Sequence, residues 1–176
     1  MHRRTTVVGI ALLTLLVCLT APEARAQTSY PSLLTGSGPD GSWIGMGAIT
    51  SPPFMAGVQF PFMDTYTRSL YGRSGAVLCQ MPPVQIEYGG QKLTVSALGQ
   101  GNWIRVAKDH YKFTVARLVM NEAGQPALLA RFNADFELVD PNTLTGTVTA
   151  GFYDWNQNLL LTMEGTLSAN RIAVEE

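Results

Sequence analysis

The sequence predicts an all-β fold, a single antiparallel up-and-down β-barrel of about eight strands. Three observations lead to it: short apolar runs separated by turn residues, strict apolar–polar alternation in the C-terminal half, and no convincing amphipathic helical pattern after the N-terminal segment. Seventeen Gly and ten Pro fit a fold with many turns. A chain of 176 residues fits one domain.

The first 26 residues have the pattern of a cleavable export signal. A basic start precedes an uncharged, mostly apolar run at residues 7–20, and Ala24-Arg25-Ala26 supplies small residues for cleavage. That run is short for a bilayer, because spanning takes about 20 apolar residues. We therefore predict a bacterial protein exported to the periplasm or the medium, with no transmembrane span in its mature chain. Lipidation at Cys18 is the weaker alternative, because Val17 is a poor residue at that site.

The predicted mature chain has few candidates for metal or nucleophilic chemistry. Residues 27–41 are rich in Ser, Pro, Gly and Thr and predict a flexible arm before a barrel domain at residues 42–176. Cys79 is the one cysteine after the signal, so no internal disulfide is expected, and we interpret it as a buried apolar-like thiol. His110 is the one histidine there, which excludes a histidine-based zinc site. We expect no metal, no cofactor and, at net charge −1 without a basic patch, no nucleic acid.

The first half of the barrel contains less regular strands. Residues 42–50 form a run with Gly45 and Gly47 on one face, where glycine permits close packing or a bend. Residues 58–71 form a longer run in which Pro61 indicates a bulge or an edge. Gly89-Gly90 predicts a two-residue hairpin between residues 84–88 and 91–95. The number of strands between residues 72 and 100 stays open.

The second half contains five clear runs, at residues 101–107, 111–120, 127–139, 144–153 and 159–169. The third run alternates: one face carries Phe132, Phe136 and other apolar residues, and the other carries charged and polar residues. We therefore expect one face to be buried and the other to be exposed to solvent. The last two runs repeat this design, with threonines on the polar face. One sheet closed on itself buries all these apolar faces together and leaves no edges.

Several short motifs resemble one protein family. They are Pro52-Pro53-Phe54, Gly101-Asn102-Trp103, Tyr111-Lys112-Phe113-Thr114, Asn121-Glu122-Ala123-Gly124, Leu144-Thr145-Gly146-Thr147, Gly165-Thr166 and Arg171-Ile172. Together they make the chain similar to small, exported, lipocalin-like (calycin-type, allene-oxide-cyclase-like) bacterial β-barrel proteins. The resemblance implies a barrel with an interior cavity and carries no catalytic motif.

The inward faces predict a binding protein for a small apolar or amphipathic molecule. Small residues on these faces leave room, while aromatic and Met side chains supply adaptable apolar contacts. Eight strands lie at the boundary between a filled interior and one that holds a ligand, so both remain open. The expected ligand-binding residues are Phe60, Phe62, Tyr66, Phe113, Phe132, Phe136, Phe152 and Met163.

Four polar residues are the candidates for interior chemistry. Asp64, Tyr66 and Arg68 share one parity with Phe60 and would line a pocket if that face is inward. We interpret Pro61 instead as a bulge that turns them to solvent. Arg117 would lie inward and need a carboxylate partner, because an unpaired buried charge is costly; Asp64 is one candidate.

Two other functions remain open. The first is a cofactor-free isomerase or cyclase in the manner of allene-oxide-cyclase-like and dirigent-like barrels, in which Asp64, Tyr66, Arg68 and Arg117 would steer the substrate. The second is a non-catalytic structural or interaction protein of the envelope, which a solid core and an exposed apolar patch would favour. Trp43 and Trp103, each expected to open a strand, would brace one barrel end. The oligomeric state stays open.

Overall fold

The computed structural model describes residues 38–70 and 72–173, so the predicted export signal and most of the predicted arm lie outside the described residues. Ten strands and one 3₁₀ helix, Pro53–Met55, are present in this part, with no α-helix, and no helix there is long and apolar enough to cross a membrane. The strands are β1 (Gly41–Ser51), β2 (Gln59–Arg68), β3 (Ser74–Gln80), β4 (Val84–Tyr88), β5 (Gln91–Val95), β6 (Leu98–Ala107), β7 (His110–Met120), β8 (Pro126–Asp140), β9 (Thr143–Tyr153) and β10 (Leu159–Arg171).

Eight of these strands form a closed antiparallel barrel, which confirms the predicted fold class. Around the barrel they follow the order β1, β2, β3, β6, β7, β8, β9 and β10. The first strand then pairs with the last, from Trp43 opposite Arg171 to Ile49 opposite Gly165. Apart from the step from β3 to β6, every neighbour in space is a neighbour in sequence, so the barrel is of the up-and-down type.

The remaining strands, β4 and β5, form a hairpin that covers one end of the barrel. Gly89 and Gly90 both have positive φ, as a two-residue primed turn requires, and the predicted hairpin is confirmed. The hairpin continues the β3–β6 pairing after interruptions at residues 81–83 and 96–97. Ile86 and Leu93 lie opposite each other and are buried against the barrel end. We call residues 84–95 the capping hairpin.

Bulky inward side chains lie opposite glycine or alanine on the next strand. At Gly47, for example, a Cβ would meet the Phe60 ring at 2.2 Å. This pairing of large with small residues fills the interior with few voids. The alternation of buried and more exposed residues confirms the inward face predicted for β8, β9 and β10. The pairs are Phe60–Gly47, Phe62–Gly45, Phe132–Ala150, Phe136–Gly146 and Phe152–Ala130.

Two tryptophans close the barrel end opposite the capping hairpin, as predicted. The Trp43 indole N–H donates to the carbonyl of Pro39 at 2.6 Å, and the Trp103 indole N–H donates to the carbonyl of Thr67 at 2.9 Å. Both rings are buried. The expectation that Trp103 opens a strand is wrong, because β6 already begins at Leu98. We call this the braced end.

The expected bulge at Pro61 is also wrong. The register of β1 with β2 runs unbroken through Met46 opposite Pro61. Pairing of β2 with β3 begins only at Met63, so Pro61 lies where β2 is an edge on that side, a position that tolerates proline. Because no residue is inserted, Asp64 and Tyr66 stay on the inward face and are buried.

We predict that Gly101→Ala destabilises the barrel. A Cβ at Gly101 would lie 1.7 Å from the carbonyl oxygen of Thr114, a backbone atom that cannot turn aside. Overpacking of this kind costs about 1–3 kcal/mol of unfolding free energy, which urea denaturation measures. Asn102→Ala, on the exposed face of the same strand, is the control. Equal midpoints for both variants would contradict the close-packing argument.

Candidate functional site

The barrel interior contains two adjoining cavities. The outer cavity, about 50 Å³, lies beneath the capping hairpin, and the inner cavity, about 30 Å³, lies farther inside. Both are smaller than the roughly 300–1,000 Å³ of a pocket for a drug-sized ligand, so the interior is largely filled. Four residues line both cavities: Phe60, Met81, Phe132 and Val148.

Most of the predicted ligand-binding residues surround these cavities. Phe60, Phe132, Phe152 and Met163 line the outer cavity, while Phe60, Phe62, Phe113 and Phe132 line the inner one. Tyr66 and Phe136 line neither. They pack near the braced end instead, where ring centroids lie 5.7 Å apart between Tyr66 and Phe136 and 5.5 Å apart between Tyr111 and Phe136.

The capping hairpin contributes lining residues that sequence reasoning missed. Val84, Ile86 and Val95 roof the outer cavity, and Met55 of the 3₁₀ helix joins them. The alternation of Val84 with Ile86, just after Pro82-Pro83, was the available signal. Alternation alone does not show that a short hairpin folds across the end of a barrel, because that requires knowing where β3 ends.

Asp64 and Arg117 are the buried charged residues of the described chain, and each is 2 % exposed. Asp64 lies directly opposite Cys79 in the pairing of β2 with β3. The Tyr66 hydroxyl donates to Asp64 Oδ2 at 3.0 Å. We call Asp64, Tyr66, Cys79 and Arg117 the polar cluster; Asp64, Cys79 and Arg117 also line the inner cavity.

The Arg117 guanidinium is held by backbone carbonyls at the interruptions of the wall. Nη1 donates to the carbonyls of Ser96 and Ala97 at 2.7 and 2.8 Å. Nη2 donates to the carbonyl and Sγ of Cys79 at 3.0 and 2.8 Å. The expected ion pair with Asp64 does not form: Ser96 and Ala97 lie between β5 and β6, where the chain leaves regular pairing and its carbonyls can accept.

Gly99 makes room for this arginine. It lies on β6, next to β7, on the inward face. A Cβ there would lie 2.8 Å from Arg117 Cγ and 2.9 Å from Arg117 Nε. The position of Arg117 therefore depends on the absence of a side chain at residue 99.

Two buried polar atoms of the cluster lack a well-formed hydrogen bond. Asp64 Oδ1 and Arg117 Nε are buried and lack a partner of normal hydrogen-bond geometry, although the Cys79 thiol lies close to the Asp64 carboxyl. Such atoms are rare in folded proteins and call for an explanation.

Burial controls the ionisation of the cluster. It raises the pKa of Asp64, against the lowering effects of Cys79, Tyr66 and Arg117. Burial, together with the charge of Asp64, raises the pKa of Tyr66 well above its usual value. Burial first, and Asp64 second, raise the pKa of the Cys79 thiol to about 12. Tyr66 and Cys79 are therefore neutral at physiological pH.

Arg68 and His110 do not join the cluster. Arg68 forms an ion pair with Asp40 at the braced end, away from both cavities. His110 begins β7 on the outer face, where its ring contacts Asp135 of β8 and 42 % of the side chain is exposed. Its partner is therefore a residue of the neighbouring strand and not the adjacent Asp109.

No protein-family model matches this chain, and no curated protein sequence matches it. Within the described residues, no group of three or more His, Cys, Asp or Glu side chains is placed to hold a metal ion.

We predict that Cys79 resists alkylation in the folded protein. With a pKa of about 12, only about one thiol in 10⁴ is ionised at pH 8, and the thiolate is the reactive form. Iodoacetamide should label Cys79 at least 100-fold more slowly in buffer than in urea, as read by peptide mass mapping. Equal rates in the two solvents would contradict the partly buried, hydrogen-bonded placement of the thiol.

We also predict a pH-dependent stability that Asp64→Asn removes. Because the pKa of Asp64 is raised on folding, the native state binds the proton more tightly, and the free energy of unfolding falls as pH rises from about 3.8 through the raised pKa. The free energy of unfolding of wild type should therefore fall relative to that of Asp64→Asn as the pH rises from 4 to 8, as measured by urea titration. Exposed aspartates affect both proteins alike, so a constant or opposite difference would refute this.

Proposed function

We propose that this chain is an exported β-barrel that binds a slender apolar or amphipathic molecule inside the barrel, beneath the capping hairpin. The observation that carries the proposal is the outer cavity, whose lining is apolar. A small apolar void enclosed by aromatic and Met side chains favours an apolar occupant over water. Export rests on the signal pattern of residues 1–26.

The barrel wall has fewer strand pairings beside the outer cavity, where a ligand would pass. β3 ends at Gln80, opposite Met63, so the first residues of β2 have no partner on that side. Phe60, Met81 and Val84 line the outer cavity along this gap. The capping hairpin meets the wall through only two register pairs with β7, Thr94–Met120 and Val95–Val119.

Opening of the capping hairpin would enlarge the cavity at a moderate cost. It exposes Ile86, Leu93 and Val95, and full exposure of each such side chain costs about 1.5–3 kcal/mol. A ligand that covers a similar apolar area offsets this cost, so binding shifts the population towards the open hairpin. Large apolar ligands then need more hairpin displacement than slender ones.

We predict that Val148→Phe weakens binding of an apolar probe. Val148 lines both cavities, and a larger ring there fills the space. Fluorescence titration with N-phenyl-1-naphthylamine should show saturable binding to wild type and at least tenfold weaker binding to Val148→Phe. Thr147→Phe, on the exposed face of β9, is the matched control and should bind as wild type does. Circular dichroism confirms that each variant is folded.

The same titration tests the interaction-protein alternative. A specific observation favours that alternative: the outer face of β1, β2 and β3 exposes Ile44, Met46, Met63 and Leu78, with Ile44 directly opposite Met63. If Val148→Phe binds the probe as wild type does while Ile44→Ser/Met63→Ser does not, the binding surface is this outer face. Absence of binding to wild type, both by this probe and by the slender 1-octanol in calorimetric titration, would refute interior binding.

The isomerase or cyclase alternative has weaker support. Three of its four candidate residues, Asp64, Tyr66 and Arg117, converge inside the barrel, but Arg68 is paired elsewhere. The Tyr66 hydroxyl and both Nη atoms of Arg117 are used within the fold. Few groups are left to act on a substrate.

A further inference from the structure

Four adjacent strands of the barrel have an outer face without charge. The strands β1, β2, β3 and β6 follow one another around the barrel, and their outward side chains include no Asp, Glu, Lys or Arg. The charged residues of these strands, Asp64, Arg68 and Arg105, alternate with the outward ones and have the inward parity. On the opposite side of the barrel, the outer face of β8 carries Asp135 and Glu137. We call the outer face of β1, β2, β3 and β6 the neutral face.

Apolar side chains form a row across the neutral face. Ile44 of β1 lies opposite Met63 of β2, Met63 lies opposite Gln80 of β3, and Gln80 lies opposite Leu98 of β6. Ile44 and Leu98 are each 57 % exposed and Met63 is 37 % exposed. Leu78, two residues before Gln80 on the same side of β3, is also exposed. An exposed apolar patch of several neighbouring side chains marks an interaction surface.

The absence of charge favours a second copy of this chain as the partner. In a symmetric dimer, a residue near the two-fold axis meets its own copy, so a charge there would face a like charge. The neutral face brings no such repulsion. The buried centres of homodimer interfaces are likewise poor in charged residues and rich in apolar ones, Met included. A membrane surface is disfavoured, because anionic lipids attract Lys and Arg and the neutral face has neither.

The neutral face is large enough for a weak dimer. Four strands about 4.8 Å apart, with a rise of about 3.3 Å per residue from Ser42 to Thr50, cover roughly 19 by 26 Å. Two copies would therefore bury roughly 1,000 Å², which is at the lower end of specific protein interfaces. Because the barrel is convex, its central strands β2 and β3 come closest to the partner, with Met63 and Leu78 at the centre.

From these observations we infer that the neutral face is the contact between two copies of this chain, in a symmetric dimer centred on β2 and β3. No residue of the neutral face lines either interior cavity, so this inference does not depend on the proposed function. A dimer of this kind leaves the capping hairpin and the interior free.

Sedimentation velocity of the purified protein tests the inference. Over roughly 1 to 300 µM we expect a shift from monomer to dimer, because an interface near 1,000 Å² supports about micromolar affinity. Met63→Arg places two like charges near the axis and should raise the dissociation constant at least 30-fold. Asn133→Arg, at an exposed position of β8, is the matched control and should dimerise as wild type does. An equimolar mixture of Met63→Arg and Met63→Glu should regain the dimer, because the two charges then attract.

Several outcomes would overturn the inference. A wild type that stays monomeric at every concentration would do so, and if that monomer floats with phosphatidylcholine vesicles, the neutral face meets lipid instead. A dimer that Met63→Arg leaves unchanged would show that another surface joins the copies. Two folded Met63 variants that stay monomeric when mixed would contradict the symmetric placement of Met63. Circular dichroism checks folding, and Ile44→Arg takes the place of Met63→Arg if that variant does not fold.

Discussion

The pairing of the first strand with the last is the constraint on which the rest of the molecule depends. Eight register pairs between β1 and β10 close the sheet, so every inward face meets the others across one enclosed space. Arg171, at the end of β10, reinforces the closure: its guanidinium lies 4.4 Å over the Trp43 ring and donates to the carbonyls of Gly38 and Pro141. Because closure excludes water from the interior, each polar group inside must find its partner there or remain open.

One irregularity accounts for three features of the interior. The chain leaves regular pairing at residues 81–83 and 96–97, and the β3–β6 hairpin bends there across the barrel end. This bend produces the capping hairpin, leaves the first residues of β2 without a partner on the β3 side, and places the Ser96 and Ala97 carbonyls within reach of Arg117. The cavities, the gap in the wall and the polar cluster therefore lie close together for one topological reason. The braced end lacks this interruption and is filled by aromatic rings.

The sequence predicted those parts of the fold that depend on residues close together in the chain. Each of the strands β8, β9 and β10 has one solvent-exposed face, so alternation alone identified the inward residues. The Gly89-Gly90 pair identified the hairpin turn. Of the two interpretations of Pro61, the edge is confirmed and the bulge is wrong, and choosing between them requires knowing where a different strand, β3, ends. The partners of Arg117 were missed for a similar reason. A buried arginine suggests a carboxylate partner, whereas the carbonyls of Ser96 and Ala97 come within its reach only because of the long-range bend. Of the candidate site, the inward positions were predictable and the contacts were not.

Within the polar cluster, Arg117 and Asp64 differ in how far the fold explains them. The fold explains Arg117, because its Nη atoms donate to the backbone carbonyls of Ser96, Ala97 and Cys79 at the interruption of the wall. Asp64 accepts a hydrogen bond from Tyr66, which a neutral acceptor would also accept, and the Cys79 thiol lies close to its carboxyl. Burial disfavours its charged form and raises its pKa, so the carboxylate weakens the fold at neutral pH. The charge of Asp64 is therefore opposed by its surroundings, whereas the charge of Arg117 is bound by carbonyl oxygens.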